Sequence, residues 1–80
     1  MNNMDWVVKD NSMNKDFEFS NSSKAMKFIN DVALVARDNK QSPEIHFHSE
    51  RFVSVKISIQ NESSISENEI RLANLINRIG

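Results

Sequence analysis

The sequence predicts an α+β domain in which an antiparallel four-stranded sheet, in the order β-β-α-β-β-α, is covered by two helices on one face. Three observations predict this fold: two pairs of short apolar runs, one stretch of helical periodicity after each pair, and strict alternation in the fourth run. With 80 residues, the chain forms a single domain, 1–80, with a thin core.

The first strand pair is predicted from the apolar runs Trp6-Val7-Val8 and Phe17-Glu18-Phe19. Aromatic and β-branched residues favour strands. The stretch between the runs, from Lys9 to Asp16, is polar and rich in Asx and Ser residues, which favour turns. We therefore expect a hairpin with a rather long loop.

The first helix is predicted from the Ser/Asn cluster at residues 20–23, which can supply an N-cap, and from the apolar stripe that follows it. The spacing i, i+3, i+4, i+7 is that of an amphipathic helix. The stripe ends near Asn39, and Pro43 forbids continuation. The stripe consists of Ala25, Phe28, Ile29, Val32 and Ala36.

The second strand pair is predicted from a short run, Ile45 to His48, and from a longer alternating run, Val53 to Gln60. Period-2 alternation places one face of a strand on the core and the other toward water or a ligand. Phe52 is out of phase with the apolar positions, so we expect a bulge near Ser49 to Arg51.

The last helix begins with a capping box, because Ser66 is followed three residues later by Glu69. Ile65 and Ile70 occupy the positions of a hydrophobic staple, and Gly80 ends the helix. Its expected buried stripe is Leu72, Leu75, Ile76 and Ile79.

Composition excludes several classes of function. The formal net charge is −1, whereas nucleic-acid binding usually needs a basic patch, so we expect no nucleic-acid partner. No apolar stretch is long enough to span a membrane, and the opening residues 1–5 lack a signal-peptide pattern, so we expect a cytoplasmic protein without a membrane partner. With a single glycine the chain cannot form a Gly-rich phosphate loop. Without cysteine it has no Cys/His cluster of structural-zinc spacing, and we expect neither a cofactor nor a metal.

Small size also bears on assembly. A core of this size supplies only a few kcal/mol, and disulfides are excluded in a chain without cysteine. We therefore expect a homo-oligomer, dimer or tetramer, paired through the open edges of the sheet.

The order and spacing of these residues resemble the pterin-4a-carbinolamine dehydratase family over nearly the whole chain. In that family a Trp precedes a Phe-x-Phe strand and a helix with Ala, Phe and Val-Ala. These elements are followed by a loop with a His-His-Pro core, an alternating strand, and a helix that begins with Leu-Thr-x-x-Asp. The corresponding residues are Trp6, Phe17, Phe19, Ala25, Phe28, Val32, Ala33, Pro43, Glu44, Ile45, His46, the segment Ile65 to Glu69, and the Leu72-Ala73 pair.

The resemblance implies a ligand-binding site in which the family's histidines are replaced. Counting back from Pro43, the paired-histidine positions hold Gln41 and Ser42, and the third histidine falls on Gln60, or on Ile59 if an insertion in this segment is placed differently. The predicted ligand-binding residues are Gln41, Ser42, Pro43 and Gln60. The acidic residue that the family has ahead of the pair is replaced by Arg37.

His46 and His48 are the only histidines, and on a strand they would project from one face. With Glu44 they are the candidate catalytic residues. They could act as substitute acid-base groups, or as a pair of metal ligands together with Glu44 or Glu50. Two partly exposed strand histidines are the interpretation we favour, because a catalytic metal normally has three protein ligands.

Three functions follow as hypotheses. The first is a catalytically degenerate protein that acts as a binding, assembly or regulatory module, with a protein partner or a small heterocyclic ligand. The second is an enzyme of altered chemistry, a dehydratase or isomerase acting on a small heterocycle in specialised biosynthesis. The third is a weak 4a-hydroxytetrahydropterin dehydratase.

Overall fold

The computed structural model describes residues 6–60 and 63–80, so the opening segment 1–5 of the signal-peptide argument lies outside the described residues. The elements follow the predicted order β-β-α-β-β-α. Their bounds are β1 Val7–Lys9, β2 Ser12–Glu18, α1 Ser22–Asp38, β3 Glu44–His48, β4 Phe52–Ser58 and α2 Glu67–Ile79.

The first hairpin is tight, so the expectation of a long loop was wrong. Lys9 pairs directly with Ser12, which leaves only Asp10 and Asn11 as the turn. Both have positive φ, 52° and 58°, as the favoured two-residue hairpin turn requires, and Asp and Asn tolerate this conformation better than most residues. The polar stretch is therefore mostly strand.

The second hairpin is also regular, and the expected bulge was wrong. His48 pairs directly with Phe52, and a three-residue turn, residues 49–51, joins the strands. Ser49 and Glu50 both adopt positive φ there. Phe52 is out of phase with the apolar positions because it lies on the opposite face of β4.

The strands form one antiparallel sheet in the order β1-β2-β4-β3, so β1 and β3 are its edges. Directly paired residues share a face, and β4 alternates between a buried face and a more exposed one. The helices pack on the buried face. The core contains Trp6, Met13, Phe17, Ala25, Phe28, Val32, Ala36, Val53, Val55, Ile57, Ile59, Leu72, Ala73 and Ile76.

Both helices begin as their sequences predict. The Asn21 side chain accepts a hydrogen bond from the Lys24 amide, and the predicted capping box between Ser66 and Glu69 is confirmed in both directions. In the stripe predicted for α2, Leu72 and Ile76 are buried, whereas Leu75 and Ile79 are half-buried. Among the described residues, neither helix is long and apolar enough to cross a membrane.

Candidate functional site

A cleft of about 560 Å³ lies between the loop that follows α1, the end of β4 and the first turn of α2. Its volume is within the usual range of small-ligand pockets. All four predicted ligand-binding residues, Gln41, Ser42, Pro43 and Gln60, line it. The fold thus brings together two segments that are some twenty positions apart in the sequence.

The loop on one side of the cleft starts with a Schellman motif at the end of α1. The Lys40 amide donates to the Arg37 carbonyl at 3.0 Å, and the Gln41 amide donates to the Ala36 carbonyl at 2.9 Å. Lys40 occupies the left-handed position, with φ 57°, where glycine is the usual residue. The motif turns the chain sharply and directs residues 41–43 along the cleft.

Two side-chain amides tie this loop to the start of α2. Gln41 Nε2 donates to the Asn68 carbonyl at 3.1 Å, and Asn68 Nδ2 donates to the Asn39 carbonyl at 3.2 Å. Each bond joins opposite sides of the cleft, because Asn68 also lines it. The two bonds therefore connect the loop after α1 to the first turn of α2.

Glu69 stands where the family has the Asp of its helix start and was predicted to be a helix cap, and it also lines the cleft. Its Oε1 accepts from the Ser66 amide at 2.9 Å, and Ser66 Oγ accepts from the Glu69 amide at 3.2 Å. Glu69 is nonetheless buried, with an exposed fraction of 8%, and lines the cleft, which means that the first turn of α2 forms a cleft wall. The capping box was a signal for the helix start, but it carried no information on which face that start would present.

The chemistry of the lining is mainly that of amides and hydroxyls. Gln41, Gln60 and Asn68 supply amides, and Ser42, Ser58 and Ser66 supply hydroxyls. Such groups both donate and accept hydrogen bonds, which suits a polar heterocycle. The ionisable side chains of the lining are Lys40 and Glu69, and neither histidine is part of it.

The candidate catalytic residues lie elsewhere. Glu44 pairs with Lys56, His46 with Ser54 and His48 with Phe52, which places all three on the face of β3 turned away from the helices. The prediction that His46 and His48 share one face is confirmed. All three are exposed, and none of them lines the cleft.

His48 belongs to a short hydrogen-bonded chain across that outer face. Ser54 Oγ donates to Asp16 Oδ1 at 2.6 Å and lies 3.3 Å from His48 Nε2. A hydroxyl has one proton, and Ser54 gives it to Asp16. The contacts therefore run in the order Asp-Ser-His, and the serine proton is engaged by the carboxylate and not by the histidine.

The described residues offer no metal site. No group of three or more His, Cys, Asp or Glu side chains is close enough to hold an ion within residues 6–60 and 63–80.

Comparison with known proteins identifies relatives over almost the full chain. The family model described as pterin 4 alpha carbinolamine dehydratase matches residues 1–79. A protein of Sulfolobus acidocaldarius, whose name assigns it to that family, is 26% identical over 74 residues, which cover 92% of this chain and 80% of the relative. A Prochlorococcus marinus protein of the same name is 25% identical over 77 residues, which cover 96% of this chain and 80% of the relative.

Two solved structures share the fold. The transcriptional coactivator/pterin dehydratase from Brucella melitensis matches with a TM-score of 0.77 and 28% identity, covering 92% of this chain and 80% of that one. A pterin dehydratase-like protein described as a RuBisCO assembly factor in the alpha-carboxysome matches with a TM-score of 0.75 at 19% identity, covering 92% and 84%. At that identity the second match bears on the fold alone.

Proposed function

Since the chain belongs to the pterin-4a-carbinolamine dehydratase family, we propose that it is a binding, assembly or regulatory module that has kept the family's cleft without its acid-base groups. One observation carries this proposal. The three positions at which the resemblance implies histidines hold Gln41, Ser42 and Gln60, and all three line the same cleft.

The replaced residues decide the chemistry. Loss of water from a 4a-hydroxytetrahydropterin requires one group to protonate the leaving hydroxyl and another to accept a ring N–H proton, and histidine suits both tasks near neutral pH. Amide and hydroxyl side chains hydrogen-bond a ligand but do not exchange a proton at that pH. Each lost acid-base group typically removes a factor of about 100 to 10,000 in rate.

Relatives support a role through protein contacts. One structural neighbour, 28% identical to this chain, is described as a transcriptional coactivator as well as a pterin dehydratase. A fold that serves such roles elsewhere can serve one here, although this support is by analogy.

Self-association is part of the proposal. Four of the five residues of the edge strand β3 are exposed, and β1 forms the other edge of the sheet. Open strand edges present unpaired backbone groups that favour pairing with another chain, and a small core gains stability from it. We place this homo-oligomer in the cytoplasm, in accord with a sequence that contains no cysteine.

A dehydration assay tests the proposal. The purified chain is mixed with 4a-hydroxytetrahydropterin, and loss of the substrate is followed with and without protein. The proposal predicts no acceleration over buffer. Clear turnover would contradict it. Replacement of His46 and His48 by Ala would then distinguish the two enzyme hypotheses. Loss of activity in that variant would indicate altered chemistry, whereas unchanged activity would indicate a weak pterin dehydratase that uses the cleft.

The partner role needs its own experiment. Affinity capture of the tagged chain from its source cell should return a second protein in stoichiometric amount. Recovery of the chain alone, in self-assembled form, would count against an assembly or regulatory role.

A further inference from the structure

The outer face of the edge strand β3 carries three side chains of metal-ligating type in a row. Glu44, His46 and His48 alternate with Ile45 and Phe47, so the first three lie on the face turned away from the helices. All three are exposed, and the cleft uses none of them. Residues two apart on a strand are separated by about 6.6 Å, so the two imidazoles are near enough to bind one ion between them.

One chain leaves such a site incomplete. Within residues 6–60 and 63–80, no three His, Cys, Asp or Glu side chains are close enough to hold an ion. Glu44 is about 13 Å from His48 along the strand, so it cannot join both imidazoles of its own chain. A metal in a protein usually has three or four protein ligands. The missing ligand must therefore come from another chain, and β3 is an edge of the sheet.

The sequence of β3 is complementary to itself in the antiparallel direction. A two-fold axis perpendicular to the sheet preserves its two faces, and full overlap of the five residues then places His46 opposite His46 of a second copy. In the same register Glu44 lies opposite His48, which pairs an acid with a base. Ile45 lies opposite Phe47, and cross-strand pairs of aromatic and β-branched residues stabilise sheets.

Phe47 supports this pairing independently of the histidines. It lies opposite Val53, which is buried, yet Phe47 itself is 42% exposed, and Ile45 beside it is half-buried. The helices of one chain do not cover this end of the apolar face. A second β3 would extend the sheet here and bring its own Ile45 against the ring. The apolar face and the ionisable face of β3 therefore favour the same register.

We propose that two copies of the chain pair through β3 and form two equivalent sites for a divalent transition-metal ion such as Zn²⁺. Each site consists of His46 and His48 of one copy and Glu44 of the other. Opposite residues have Cβ atoms about 5 Å apart, so Glu44 of the second copy lies beside His48. Two imidazoles and one carboxylate are an established zinc ligand set, with water in the fourth position. This inference rests on the self-association in the proposed function and assigns it to one strand, but it does not depend on the cleft.

The neighbours of His48 suit a metal ligand. Its Nε2 lies 3.3 Å from Ser54 Oγ, which donates to Asp16 Oδ1, and its ring stacks on Phe52 at 5.8 Å. A metal-bound imidazole usually donates its second N–H to an acceptor, which fixes the orientation of the ring. With Nδ1 on the ion, Nε2 donates to the Ser54 oxygen.

Zinc itself is the probe. The metal-free chain, without a histidine tag, is titrated with zinc chloride at neutral pH by calorimetry. We expect saturable binding of about one ion per chain, and a dimer dissociation constant that zinc lowers by about tenfold or more in sedimentation. His46→Ala and Glu44→Gln should each weaken zinc binding by about tenfold or more, since even outer-shell changes cost 10–100-fold. The matched control Glu50→Gln, an exposed carboxylate in the turn after β3, should change affinity by less than about twofold.

Mixing two defective chains tests whether the site is shared. Glu44→Gln lacks the carboxylate, and the double variant His46→Ala, His48→Ala lacks the imidazoles. Each alone should bind zinc weakly, whereas a mixed dimer completes one site. An equimolar mixture should therefore regain roughly a quarter of the wild-type sites.

Several results would overturn the proposal. They are the absence of saturable binding at millimolar zinc, equal affinities for the wild-type and His46→Ala chains, equal losses in Glu44→Gln and Glu50→Gln, and no recovery on mixing. Circular dichroism confirms that each variant is folded. A stable oligomer that binds no zinc would refute this inference alone. Zinc binding by a chain with an active dehydratase cleft would support the site while refuting the proposed loss of chemistry.

Discussion

Asn77 joins the last turn of α2 to the sheet, and Asn77→Ala measures what that connection contributes. Its Oδ1 accepts from Trp6 Nε1 at 3.1 Å and from Lys15 Nζ at 2.8 Å. Trp6 is only 8% exposed and packs edge-on against Phe17, so its N–H cannot turn readily to water. Lys15 is less constrained, because it is partly exposed and can be solvated again.

The expected loss follows from these contacts. A buried N–H left without an acceptor costs about 1–3 kcal/mol, and a lost hydrogen bond to a charged amine adds to it. Alanine returns about 0.5 kcal/mol through its higher helix propensity. The net destabilisation should be about 2 kcal/mol, against a total stability of roughly 4–12 kcal/mol for a chain of 80 residues. The corresponding fall in Tm is roughly 10 °C.

Urea unfolding followed by Trp6 emission is a direct assay, because Trp6 is the only tryptophan. Asn74→Ala is the matched control: Asn74 is exposed on the same helix, so this change should stabilise by about 0.5 kcal/mol. Asn77→Asp keeps an acceptor for both donors and should recover most of the loss. A difference of less than about 0.5 kcal/mol between Asn77→Ala and Asn74→Ala would refute the reasoning.

Three further results are expected. Ser66→Ala should destabilise by about 1 kcal/mol in urea unfolding because it removes one half of the capping box, and an equal effect of exposed Ser64→Ala would argue against that cause. Lys40→Gly should raise the free energy of unfolding by about 1 kcal/mol, because glycine adopts the left-handed conformation of residue 40 without steric strain. A lower free energy of unfolding would show that Lys40 is not strained there. Sedimentation at micromolar concentration should detect an oligomer paired through the sheet edges, and a stable monomer would contradict it.

The helices could be predicted closely because their signals are local. Asn21 and Ser66 are N-caps within three residues of the amides they bind, and Pro43 limits α1 from the sequence alone. The first hairpin could not be predicted as closely, because residues 9–16 are mostly polar although the greater part of this stretch belongs to strand β2. Met13 is fully buried there, whereas Lys15 shares its face and lies over the Phe17 ring at 4.8 Å, so a core position looked like a loop.

The cleft was predictable only in part. Gln41, Ser42, Pro43 and Gln60 were found through the resemblance, because nothing in their composition indicates a site, and the structure brings them together. Glu69 was missed as a lining residue, since sequence reveals the capping partner but not the neighbour across the fold. His46 and His48 drew attention as the only histidines, yet edge-strand geometry places them away from the cleft.

Restoring the lost histidines tests the central claim most directly. The triple variant Gln41→His, Ser42→His, Gln60→His and the wild-type chain are compared side by side for dehydration of 4a-hydroxytetrahydropterin. The account predicts that the wild-type rate equals that in buffer and that the variant is faster by about 100-fold or more, since acid-base groups return to an intact cleft. A wild-type chain as fast as the variant, or a folded variant with no gain, would contradict it.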